Sequence, residues 1–133
     1  MKIKITVHED KPSVEIQDIA SANEVISSAS EEARAKGLLN VIFVEADSGN
    51  CLTLVVGGDE TVLGFNYGHL DPPYYASKGN NESDEPVMTA HASFRHHTEY
   101  PRKWVLSMQE GMLAVREFCE TGDLPKCIKW TEV

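Results

Sequence analysis

The chain has 133 residues, of which 41% are hydrophobic and 25% charged. That length suits one domain with its own core, and the composition excludes a disordered, collagen-like or membrane-spanning chain. The net charge of −9 repels nucleic acid and anionic membranes and attracts basic surfaces.

Lys2 to His8 places Ile3, Ile5 and Val7 at period two, which predicts a half-buried strand. The segment Met1 to Asp10 has no apolar core of signal-peptide length, so a cytoplasmic location is expected. Val14 to Ile16 predicts a second short strand. A helix is predicted from Ser21, whose spacing to Glu24 fits a capping box. Its apolar stripe is Val25, Ile26, Ala29 and Ala33, and Gly37 stops it.

Leu38 to Ala46 is rich in β-branched and aromatic residues, with Val41, Ile42, Phe43 and Val44 in a row, as in a central strand. Two further strands, Cys51 to Val56 and Thr61 to Tyr67, follow across turn residues and predict an antiparallel meander. Tyr74 to Ser77 reads as a short edge strand after Pro72 and Pro73. Asn80 to Glu85 reads as an acidic loop, Pro86 to Phe94 as a returning strand, and Thr98 to Arg102 as its break.

A second helix begins at Ser107, again with capping-box spacing to Glu110. Its predicted stripe is Met108, Met112, Val115 and Cys119, with Leu113 and Phe118 beside it. Gly122 and Pro125 end it, and Cys127 to Val133 predicts a closing strand. The expectation is a single α+β domain over residues 1–133, an antiparallel meander with two main helices packed on it.

The three cysteines lack C-x-x-C spacing, so neither a disulfide framework nor a zinc ribbon is expected. His91, His97 and Glu99 are metal-ligand types, and in a strand the two histidines would share a face. A small metal-dependent hydrolase using these three is therefore one alternative. A generic interaction or homo-oligomeric module built on a sheet edge is another. No nucleophile elbow or phosphate loop is present, and no metal or cofactor is expected.

The charge is unevenly placed. From Glu45 to Glu85 eight acids face only Lys78, whereas from Pro86 onward six bases balance six acids. Prolines stiffen the chain ahead of Tyr74 and Tyr75, and rigid aromatics among acids make a candidate binding surface. Alternation along a strand would equally send one tyrosine inward. The candidate contact residues are Asp59, Glu60, Asp71, Tyr74, Tyr75, Glu82, Asp84 and Glu85.

Three segments together carry a resemblance. They are Val56-Gly57-Gly58-Asp59 through Tyr67-Gly68 to Pro73–Gly79; Phe94 through His97 to Pro101; and Ala114–Phe118 with Thr121-Gly122-Asp123-Leu124-Pro125 and Ile128–Trp130. They resemble the first-numbered immunity-protein family of bacterial polymorphic toxin systems over roughly residues 38–130. The resemblance implies a non-enzymatic inhibitor of a cognate toxin, often a nucleic-acid deaminase, acting by tight non-covalent occlusion of its active site. It implies a protein partner; the acidic charge argues against a nucleic-acid or membrane partner, and the free chain is expected to be a monomer or weak dimer. The family's contact residues vary with the toxin, so the eight candidates rest on charge and aromatic placement alone.

Overall fold

A computed structural model describes residues 2–133. The elements in chain order are β1 (Ile3–Thr6), β2 (Val14–Ile16), α1 (Ile19–Lys36), β3 (Asn40–Ala46), β4 (Cys51–Val56), β5 (Glu60–Thr61), β6 (Leu63–Asn66), β7 (Tyr74–Ser77), β8 (Met88–Ala92), β9 (His96–Tyr100), β10 (Leu106–Ser107), α2 (Met108–Thr121) and β11 (Trp130–Glu132). A single 3-10 turn, Arg102–Trp104, precedes β10. The architecture is α+β, with a main sheet in the order β11-β7-β6-β4-β3-β1-β2.

The expected meander is present as β3-β4-β6-β7. One pairing departs from it. β8 lies parallel to the start of β3, with Asn40 opposite His91 and Val41 opposite Ala92. β1 covers the same edge of β3 only from Phe43 to Ala46, which leaves that edge open for β8. β9 then pairs antiparallel with β8.

The run from Val41 to Val44 is apolar because both faces of β3 are covered. Ile42, Val44, Leu52, Leu54, Leu63 and Phe65 face the helices, where they meet Ile26 and Ala29 of α1 and Val115 and Phe118 of α2. Val41 and Val55 face the other way, into a smaller core with Val62, Met88, Ala90 and Val105. Each large apolar side chain so buried contributes about 1.5–3 kcal/mol relative to exposure.

Several boundaries differ from the sequence expectation. Helix α1 starts earlier: Asp18, not Ser21, is the cap, and its carboxylate accepts the Ser21 N–H at 2.8 Å. That bond holds the Asp18 carboxyl below its ordinary range. The predicted strand Thr61–Tyr67 is broken at Val62, because β5 leaves the sheet to pair with β10. β7 is not an edge, since β11 covers its outer side. Thr98 to Arg102 does not break the chain; most of it continues as β9, paired to β8.

In α2 the cap is as expected: the Ser107 hydroxyl accepts the Glu110 N–H at 3.1 Å. The buried stripe is instead Gly111, Ala114, Val115 and Phe118, and Leu113 is exposed. The closing strand begins only at Trp130, which leaves Cys127 exposed outside it. Both helices end on glycines in the left-handed region, Gly37 and Gly122.

Candidate functional site

The eight candidate residues fall at two ends of the sheet. β6 and β7 run antiparallel, with Asn66 opposite Tyr74 and Gly64 opposite Ala76. The turn before β5 and the loop after β7 therefore share one end, and the loop between β6 and β7 takes the other. The strand residues separating the ends span about 10 Å. Asp59, Glu60, Glu82, Asp84 and Glu85 belong to the first end; Asp71, Tyr74 and Tyr75 belong to the second.

At the first end two cations organise the acids. The Arg102 guanidinium donates to Glu60 Oε1 at 2.9 Å and to the Pro86 carbonyl at 2.7 Å. Its backbone N–H donates to the Asp84 carbonyl at 2.9 Å. Lys103 Nζ stands 3.1 Å from Asp84 Oδ1. Exposed pairs of this kind contribute about 0–1 kcal/mol, so they position the loop more than they stabilise the fold. Asp59, Glu82 and Glu85 are exposed and form no ion pair among the described residues. The Asp59 carbonyl accepts the Met108 N–H at 2.8 Å, which ties this turn to the start of α2.

Neither cation is marked by the sequence pattern: Arg102 ends the segment read as a strand break, and Lys103 lies just beyond it, in the turn Arg102–Trp104. A cluster of lysines lies beside them. Lys78, Lys103, Lys126 and Lys129 line two adjoining grooves of about 470 and 400 Å³ that share Lys78, Gly79 and Asn80. Sequence separation hid this cluster, which forms only when β7 and the approach to β11 come together.

At the second end the tyrosines divide. Tyr75 is half-buried on the helix side, edge-on to Tyr67 at 6.4 Å. Tyr74 is exposed on the other face, and its hydroxyl donates to the Leu70 carbonyl at 2.8 Å. Asp71 is exposed, and its N–H donates to His69 Nδ1 at 3.0 Å. His69 stacks on Tyr67 at 5.4 Å.

His91 and His97 lie on different strands, β8 and β9, rather than along one, and meet as cross-strand partners with ring centroids 5.4 Å apart. Glu99 Oε1 lies 3.6 Å from His97 Nε2. These groups do not converge on a common point. Among the described residues no group of three or more His, Cys, Asp or Glu side chains is placed to hold a metal ion. Burial pushes the Cys51 and Cys119 thiols up to about 11, away from nucleophilic character. Among the described residues no helix is long and apolar enough to cross a membrane.

The fold is thus an α+β scaffold that presents charged loops at both ends of a helix-backed sheet. The chain belongs to the immunity protein Imm1 family, whose model matches residues 6–132. The sequence resemblance, traced over roughly residues 38–130, therefore extends back through α1 and β2 to the last residue of β1. No curated protein matches the chain.

Proposed function

We propose that this chain is an immunity protein that neutralises a cognate bacterial toxin by tight non-covalent binding across its active site. The observation that carries the reading is the family match over nearly the whole chain. Occlusion needs shape and charge from the inhibitor and no catalytic group of its own. The toxin class we propose is a nucleic-acid-acting, deaminase-type enzyme. Such an enzyme needs a basic cleft for phosphates, and exposed acids such as Asp59, Glu82 and Glu85 are suited to occupy one. On this reading the protein works in the cytoplasm, is not an enzyme, uses no cofactor, and binds neither nucleic acid nor membrane. It waits as a monomer or weak dimer for its toxin.

Co-expression with the toxin encoded beside it tests the proposal. Cells carrying both are expected to survive induction that kills cells carrying the toxin alone. Equal killing with and without this chain refutes the reading.

A further inference from the structure

Leu70 is the most exposed large apolar side chain among the described residues, at 72%. Its backbone is also in the left-handed region, at φ 67°. That region strains a residue with a β-carbon and suits glycine or asparagine. Neither feature benefits the isolated fold, yet the surrounding structure enforces both.

The enforcement is specific. The Leu70 N–H donates to the Tyr67 carbonyl at 3.0 Å, and the Leu70 carbonyl accepts the Tyr74 hydroxyl. Pro72 and Pro73 restrict the backbone between them. The base of the loop is anchored by Asn50, whose Oδ1 accepts the Gly68 N–H and whose Nδ2 donates to the Gly122 carbonyl, both at 2.9 Å. A β-carbon on Gly68 would overlap the Ser48 carbonyl, so the loop is seated directly on the turn between β3 and β4. The result is an apolar side chain held out in water on a fixed support. A partner burying it gains the hydrophobic free energy with little further loss of conformational entropy.

The charge around it selects the partner. Residues 37–77 contain no lysine or arginine. Asp71 follows Leu70 directly, and Asp123 follows the Gly122 carbonyl bound by Asn50; neither forms an ion pair among the described residues. Asp47 is engaged by the Lys2 N–H at 3.2 Å, so one lysine also reaches this end.

We infer that the loop Gly68–Tyr74 is a second contact with the toxin, at the other end of β6 and β7 from Asp59, Glu82 and Glu85, with Leu70 filling an apolar socket rimmed by basic side chains. This rests on the immunity reading above and adds a place of contact.

The test measures binding of the intact chain to the catalytically disabled toxin domain encoded beside it. Leu70→Gly removes the side chain and relieves the backbone, so its melting temperature is expected to equal or exceed that of the unmodified chain. Its affinity is expected to fall by about tenfold or more. Leu70→Asn, which also tolerates this backbone, is expected to behave the same way. Affinity within twofold of the unmodified chain, in two variants that melt normally, overturns the inference and leaves the immunity reading standing. Failure of the unmodified chain to bind overturns both.

Discussion

Gly111 of α2 lies so close to Thr61 of β5 that a β-carbon on the glycine would stand 2.5 Å from Thr61 Cγ2. Thr61 is fully buried, and its hydroxyl donates to the Val55 carbonyl at 2.7 Å while accepting the Val55 N–H at 3.1 Å. It is stiff at χ1 and has no room to turn away.

Gly111→Ala is therefore expected to destabilise the protein despite its better helix propensity. Propensity contributes about 1 kcal/mol in favour of alanine, and overpacking costs about 1–3 kcal/mol. A net loss of up to about 2 kcal/mol is expected in urea denaturation. Thr61→Ser removes the obstructing methyl, so Gly111→Ala should cost less in that background. Equal cost in both backgrounds would show that the contact is not the cause.

The acidic loop bears on association rate. Asp84 is held by Lys103, whereas Glu82 and Glu85 have no cation partner among the described ion pairs. Under the proposed function, Glu82→Lys with Glu85→Lys is expected to slow association with the toxin by roughly three- to tenfold at low salt and to flatten its salt dependence. Dissociation should change little. Stopped-flow mixing at several ionic strengths reads both rates, and an unchanged association rate would remove this loop from the encounter surface.

Stability should decline in alkali. The Cys51 thiol is raised by burial and then by the Glu45 charge, and the Cys119 thiol by burial and then by Glu120. A folded thiol that titrates near 11 keeps its proton where the unfolded thiol, with an ordinary value of 9.0, loses it. The resulting contribution is complete below pH 9 and drains away as pH rises toward 11. Urea denaturation from pH 7 to 10.5 should show this fall, and Cys51→Ala with Cys119→Ala should reduce its slope. Burial also raises the Tyr100 phenol, so some decline should remain above pH 10 in that variant.

How much could be read in advance depended on how local each signal was. The Ser107–Glu110 cap and the Gly37 stop are set by neighbours in sequence, and both stand as expected. The β3-β4-β6-β7 meander follows from short turns and alternation. What escaped depends on distant partners. The parallel β3–β8 contact exists because β1 is short, and the break at Val62 exists because β10 draws β5 away. In α2, Gly111 counts as core because it meets Thr61, and no hydrophobicity pattern marks a glycine as buried.

The candidate surface divides in the same way. Charge counting found the acids but could not reveal that Arg102 and Lys103 pair with Glu60 and Asp84. It also placed Asp71 with acids that lie at the other end of β6 and β7. Leu70 carries no sequence signal, because its significance lies in exposure and backbone angle, neither of which composition reports.

The filling of β3's outer edge by two successive strands has a further effect. The sheet's remaining margins are β2 and β11, three residues each, and β9, which carries His96, His97 and Glu99 facing solvent. Margins this short or this polar make poor templates for an incoming strand. The chain is thereby protected from edge-to-edge aggregation by the shortness and polarity of its margins.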